Sequence, residues 1–154
     1  MKIVVDASIV VSAFILGGEP RKVIERVFNC VDKLYVTKEI LAEFTDAVNR
    51  PKFCADADET KSYIRKIALK GRKATPPKRS RNRNGNTPDN KYIACGAAGN
   101  AAYIISGDAH LLELKQYENI RILTAKEYLE TMSKLEAYFR ASEALPSILE
   151  MRNK

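Results

Sequence analysis

The segment KIVVDAS, residues 2–8, decides the fold, because a short β-branched run ends there at an acidic residue. Isoleucine and valine favour strands, so this run predicts a first strand that Asp6 closes. Apolar residues at helical spacing follow from Val23 to Phe28, and the run LYVT at residues 34–37 predicts a second strand. The chain therefore begins as strand, helix and strand.

The same alternation continues along the chain. Strands are predicted at residues 102–106 and 120–123, and helices at 38–49, from 56, at 89–99, at 109–115 and from 124. Strands that alternate with helices and read as unbroken apolar runs indicate a parallel sheet covered on both faces. The chain is thus predicted to be an α/β protein with one domain over residues 1–140. Residues 141–154 are expected to form a tail, with an extra helix or a surface for a partner.

Composition excludes several classes of function. No apolar run approaches the roughly 18 to 20 residues that a membrane span needs, and Asp6 interrupts any signal-like start, so we expect a cytoplasmic protein without membrane contact. The chain has three cysteines without a CxxC pair, and we expect them to be reduced residues in or near the core. The single histidine, His110, has no partner for zinc binding or for a Ser-His-Asp triad.

Positive charge is concentrated in one segment. The net charge is +7, and residues 60–88 contain ten Lys and Arg residues but no acidic residue. This run is compatible with a solvated helix face followed by a loop, and equally with a surface that binds a polyanion. If it binds nucleic acid, the candidate contacts are Lys78, Arg79, Arg81 and Arg83.

Four acidic residues stand out by position. Asp6 and Asp108 follow predicted strands, and the functional crevice of an open α/β sheet lies beyond the carboxyl ends of its strands. Glu43 and Asp89 lie near the apolar faces of predicted helices, where an unpaired carboxylate is costly. Each also has a simpler interpretation. Asp6 could be a turn residue, Asp108 a helix N-cap, Glu43 a boundary residue, and Asp89 a first-turn residue of a helix capped by Thr87.

If the four carboxylates converge, they require a cation. Two unit charges about 4 Å apart cost roughly 4 kcal/mol at an effective dielectric constant of about 20, so several carboxylates must protonate or bind a metal. Oxygen ligands without His or Cys suit Mg²⁺ or Mn²⁺. Such a site beside a basic surface fits hydrolysis of a phosphodiester.

The sequence resembles the PIN-domain family of metal-dependent ribonucleases, and within it the toxins of toxin-antitoxin pairs. The resemblance extends from residue 3 to about 130, and the matching segments occur in the family's order and spacing. They are DASIVVSA at residues 6–13, TKEILAEF at 37–44, RPKF at 50–53, PDNKY at 88–92, and YIISGD at 103–108 with Leu111 and Leu112.

This resemblance implies a three-layer α/β/α fold around a mostly parallel sheet of about five strands. It implies that Asp6, Glu43, Asp89 and Asp108 hold one or two Mg²⁺ or Mn²⁺ ions, with Glu43 also orienting the attacking water. Ser8 would support Asp6, and Ser106 matches the hydroxyl residue before the last acid. Cleavage of RNA would leave a 5′-phosphate and a 3′-hydroxyl.

One position departs from the family pattern. Relatives often carry another Asp three residues before the position of Asp89, where this chain has Asn86.

The first hypothesis is a Mg²⁺- or Mn²⁺-dependent endoribonuclease, a toxin that forms homodimers and is held inactive by a cognate antitoxin. The second is a PIN-like RNA-binding protein with weak or no catalysis. A third, phosphoryl transfer on Asp6, is disfavoured because Ser8 stands where a second Asp would be needed.

Overall fold

A computed structural model describes residues 1–76 and 90–152, with side chains up to residue 143. Its sheet has the strand order β3-β2-β1-β4-β6-β5, and all neighbouring pairs are parallel except β5 with β6. The predicted strands are present, and two strands of two residues each extend the sheet at its edges. The strands are β1 Lys2–Val5, β2 Lys33–Val36, β3 Arg72–Lys73, β4 Tyr103–Ile105, β5 Gln116–Tyr117 and β6 Ile120–Leu123.

Helices connect the strands and cover the sheet, which confirms the three-layer α/β/α prediction. Helix α5 packs against β1, β2 and β4, whereas α1 packs against α2 and α3, and α7 packs against α2 and β6. The helices are α1 Ala7–Ile15, α2 Gly18–Phe28, α3 Lys38–Val48, α4 Ala57–Lys70, α5 Lys91–Gly99, α6 Ala109–Leu114 and α7 Ala125–Arg152, with a short 3-10 helix at Pro51–Phe53. No helix in the described part of the chain is long and apolar enough to cross a membrane.

The core lies between the sheet and its helices. The last three residues of β1 and all three of β4 are buried apolar side chains, as continuous apolar strands require when both faces are covered. Tyr128 of α7 and Phe44 of α3 are among the largest fully buried side chains. This core fixes the helices on the sheet and so fixes the groups at the strand ends.

A buried ion pair joins α2 to the start of β2. Asp32 accepts a hydrogen bond from Nε of Arg26 at 2.8 Å and from the hydroxyl of Tyr128 at 2.8 Å. Burial acts to raise the pKa of Asp32, but the hydrogen bonds from Arg26, Tyr128 and the terminal amine outweigh it, and the pKa lies below its usual value. This carboxylate is therefore ionised and structural.

The strand order reverses between β1 and β4. From β1 the chain proceeds outward to β2 and β3, and then returns to the other side of β1 to form β4. In open α/β sheets the crevice at such a switch point is where ligands bind. The amide of Asp6 donates to the carbonyl of Ile105 at 3.1 Å, so Asp6 and Ser106 leave the sheet side by side.

Two local predictions need correction. Helix α5 begins at Lys91 and its N-cap is Asn90, whose side chain accepts a hydrogen bond from the amide of Tyr92 at 2.8 Å; Thr87 is not the cap. Cys95 is buried as predicted, but Cys30 and Cys54 are exposed, because each follows the end of a helix in a turn with positive φ. Helix α7 continues through the predicted tail to Arg152. The division at residue 140 stays a prediction.

Candidate functional site

Asp6 lies at the centre of the site because it both ends β1 and caps α1. Its Oδ1 accepts hydrogen bonds from the amide of Ile9 at 3.1 Å and the hydroxyl of Ser8 at 2.5 Å, and its Oδ2 accepts from the hydroxyl of Ser106. Burial raises the pKa of Asp6, the hydrogen bonds from Ser106, Ser8 and Ile9 oppose the shift, and the nearby carboxylate of Asp108 adds to it. Both oxygens are thus fixed in direction while the negative charge is poorly compensated.

The loop after β4 places Asp108 beside Asp6. The hydroxyl of Ser106 accepts from the amide of Asp108 at 2.9 Å, so one side chain bridges the two acids. The amide of Gly107 donates to Oγ of Ser8 at 3.1 Å, and a Cβ at Gly107 would lie only 3.1 Å from that oxygen. Asp108 is exposed and caps α6 through a hydrogen bond from the amide of His110 at 2.7 Å. The N-cap interpretation of Asp108 is therefore correct, and it is compatible with a second role for the carboxylate.

Glu43 approaches from α3 and is held by two consecutive residues of α5. Its Oε2 accepts a hydrogen bond from the hydroxyl of Tyr92 at 2.7 Å and lies 2.5 Å from Nζ of Lys91. The Tyr92 hydroxyl also accepts from the amide of Ala7 at 3.1 Å. Burial, together with the Glu43 carboxylate, raises the pKa of Tyr92, so its hydroxyl remains protonated and donates to Glu43.

These acids face one pocket of about 460 Å³. Asp6, Glu43 and Asp108 line this pocket together with apolar side chains, and Arg50 and Phe53 also line it. A pocket lined by both acidic and apolar residues is suited to an amphipathic ligand. The remaining lining residues are Ala7, Ser8, Val11, Ser12, Ile15, Leu16, Ala47, Asn90, Tyr92 and Leu111.

The chemistry of this donor set fits a hard divalent cation. The acids present only oxygen, Asp6 is buried with its pKa raised, and a cation would relieve that charge. Among residues 1–76 and 90–152, however, no group of three or more His, Cys, Asp or Glu side chains is arranged to hold a metal. Asp89 lies outside the described residues and immediately precedes Asn90, which lines the pocket.

The structure thus brings together Asp6, Ser8, Glu43 and Asp108, with Ser106 buried directly behind Asp6. Their catalytic and metal-binding roles stay predictions. The other predicted site residues lie outside the described part of the chain, and so does Asn86. These site residues are Asp89, Lys78, Arg79, Arg81 and Arg83.

Sequence reasoning missed several residues of the site. Helical periodicity indicates only that Tyr92 points inward, although a buried tyrosine hydroxyl needs a polar partner and could have signalled one. Lys91 follows Asn90 on the first turn of α5 and has no sequence pattern that predicts its pairing with Glu43. Arg50 and Phe53 come soon after the end of α3. Because Glu43 is on this helix, their position near the site could have been predicted.

The comparison with known families agrees with the fold. The family model described as PIN domain matches residues 2–110, more than half of the 154 residues, and this range contains Asp6, Glu43 and Asp108. No curated protein matches the chain.

Proposed function

We propose that this chain, which belongs to the PIN domain family, is a divalent-metal-dependent endoribonuclease. PIN domains are in general nucleases, and they typically use divalent metals. The observation that supports the finer proposal is the convergence of Asp6, Glu43 and Asp108 on one pocket at the switch point of the sheet. Two serine hydroxyls fix the orientation of the most buried of these acids.

The residues of the chain have separable tasks in this reaction. Asp6, Asp108, Asp89 and Glu43 would hold Mg²⁺ or Mn²⁺, which supplies a polarised phosphate and a water of lowered pKa when bound. Ser8 and Ser106 keep the Asp6 oxygens in place, so the carboxylate need not reorganise when the substrate arrives. Glu43, held at one oxygen by α5, orients the attacking water and accepts its proton.

The other residues that line the pocket support a nucleic acid as the substrate. A phosphodiester alone would need only cations, whereas the pocket also offers the half-buried ring of Phe53 and an apolar wall. Proteins bind unpaired bases by stacking them on aromatic rings, at about 1 to 3 kcal/mol per base. The exposed guanidinium of Arg50 is suited to a phosphate or to the face of a base. We propose RNA as the substrate class.

The cellular role follows from the resemblance of segments such as RPKF and PDNKY to the toxin branch. On that basis we propose a toxin that a cognate antitoxin inhibits and that forms homodimers. The basic residues Lys78, Arg79, Arg81 and Arg83 are proposed contacts for the RNA backbone.

The test is cleavage of a 5′-labelled RNA with the divalent ion titrated. The wild type should cut with Mn²⁺ or Mg²⁺, leave 5′-phosphate ends and stop in EDTA. Asp6→Asn should abolish cleavage while it keeps the far-ultraviolet circular dichroism spectrum of the wild type. Asp46→Asn, an exposed acid on the same helix as Glu43, is the matched control and should cut normally. Cleavage by Asp6→Asn at the wild-type rate would refute the site assignment.

A second candidate is a PIN-like RNA-binding protein without useful catalysis. It is favoured by the pairing of Glu43 with Lys91, because an internal ammonium at 2.5 Å already neutralises one of the acids. In this case RNA affinity would fall with salt, with a log-log slope of about −0.7 for each phosphate contacted. Divalent metal would then change affinity at most, whereas a nuclease would gain turnover.

A further inference from the structure

We infer that Tyr92 is a positioning residue that sets the distance between the two acids Asp6 and Glu43, an inference that rests on the proposed nuclease function. The Tyr92 hydroxyl donates to Oε2 of Glu43 at 2.7 Å and accepts from the amide of Ala7 at 3.1 Å. Ala7 is covalently joined to Asp6 and is the first residue of α1. One oxygen atom on α5 therefore connects the start of α1 to a carboxylate on α3.

The two hydrogen bonds depend on each other. The amide of Ala7 is among the first amides of α1, which have no partner within the helix, so Tyr92 satisfies a donor that is otherwise unpaired. Because the hydroxyl oxygen accepts from this amide, its own proton is directed to Glu43. Tyr92 is 6% exposed, so the position of the ring is fixed by packing and not by water.

Lys91 cannot replace this contact. Its ammonium also reaches Oε2 of Glu43, but the Lys91 side chain is 34% exposed and has four rotatable bonds. An ion pair that is partly open to solvent, formed through so flexible a side chain, restricts the direction of the carboxylate little. Without the Tyr92 hydroxyl, the Glu43 side chain would keep its charge partner and lose its fixed direction.

The chain contains a matched control for the loss of one hydroxyl. Tyr63 is also partly buried, and its hydroxyl also bonds to the backbone of α1, donating to the carbonyl of Val10 at 3.0 Å. It does not line the pocket that contains the acids. Tyr92→Phe and Tyr63→Phe therefore each remove a single oxygen and a hydrogen bond to the same helix, but only the first releases Glu43.

The test compares steady-state cleavage of a fluorogenic RNA by the two variants in saturating Mn²⁺. Tyr63→Phe removes one hydrogen bond and should lower Tm by about 2 to 4 °C in a chain of this size, and Tyr92→Phe removes two and should lower Tm by about twice as much. Tyr92→Phe should lower kcat by about 10- to 100-fold, as loss of a residue that orients a ligand typically does, with KM within about threefold of the wild type. Tyr63→Phe should leave kcat unchanged. Equal kcat values for the two variants would overturn the inference.

A double-mutant cycle gives a readout that does not need cleavage. The wild type, Tyr92→Phe, Glu43→Gln and the double variant are unfolded with urea in EDTA. Because the two side chains are in contact, the effect of the double variant on the unfolding equilibrium constant should differ from the combined effects of the single variants by at least about threefold. In the cleavage assay, adding Tyr92→Phe to Glu43→Gln should cost little more. Additive effects in the urea cycle would refute the coupling. A wild type that never cuts RNA would instead refute the proposed nuclease function while leaving this coupling measurable.

Discussion

Replacing Ser106 by alanine tests how the two neighbouring strand ends hold the site. The Ser106 side chain is fully buried, donates to Oδ2 of Asp6 and accepts from the amide of Asp108 at 2.9 Å. Ser106→Ala leaves a buried carboxylate oxygen and a backbone amide without this partner. An unsatisfied buried group costs about 1 to 3 kcal/mol, and the charged partner places the expected loss toward the upper end of that range.

The effect on the site has a direction that can be worked out. The hydrogen bond from Ser106 is the largest influence that lowers the pKa of Asp6, so its loss raises that pKa further above the usual value. The Asp6 carboxylate then binds a divalent ion less well, because the metal must displace a proton that is held more tightly. Cleavage should fall by about 10- to 100-fold, and more Mn²⁺ should be needed for half-maximal rate.

Urea unfolding in EDTA and cleavage with Mn²⁺ titrated measure the two effects separately. Ser106→Thr keeps a hydroxyl and should recover most of the activity, whereas Ser8→Ala removes a more exposed hydroxyl from the same carboxylate and should cost less stability. An alanine variant with unchanged stability and unchanged Mn²⁺ dependence would refute the reasoning that this buried hydroxyl organises Asp6 and Asp108.

Three further predictions concern the supporting structure. The pKa of Asp32 is lowered by folding, so its ion pair stabilises the protein above about pH 4, and this stability is lost as the pH falls through the folded pKa. Thermal melts should therefore show a higher Tm for the wild type than for Asp32→Asn at pH 7, and the difference should narrow as the pH falls below about 4. Gly99→Ala should destabilise by about 1 to 3 kcal/mol in urea, because the new Cβ would lie 2.6 Å from the Tyr35 ring. Asn90→Ala should cost about 1 kcal/mol through loss of the α5 cap, whereas Asp89→Asn should leave urea stability nearly unchanged and stop cleavage.

The edge of the sheet that carries the acids could be predicted from local patterns. The run KIVV and the run YII are apolar without alternation, which identifies β1 and β4 as strands buried on both faces, and an acid follows each within three residues. Parallel strands end at the same edge of a sheet, so the sequence predicts that Asp6 and Asp108 lie near each other if both strands belong to one sheet. The position of Glu43 was predictable only approximately. It lies beside the buried residues Phe44 and Ala47 of α3, so the helical pattern places it near the sheet without fixing its direction.

The contacts that organise the acids could not be predicted, because each joins residues far apart in sequence. Tyr92 reaches Glu43 across 49 positions and Ala7 across 85, and helical periodicity specifies only that Tyr92 points inward. The observed start of α5 differs from the predicted start for a related reason. Thr87 and Asn90 are both good caps by residue type, and the choice between them depends on where α5 docks on β1, β2 and β4, which no local pattern records.

The position of that helix start changes how Asp89 should be understood. If Thr87 were the cap, Asp89 would lie in the first turn and would stabilise the helix through its dipole, so its presence would need no further explanation. With Asn90 as the cap, the cap side chain already satisfies the amide of Tyr92, and Asp89 precedes the helix. We therefore propose that Asp89, which is next to a residue that lines the acidic pocket, serves the site.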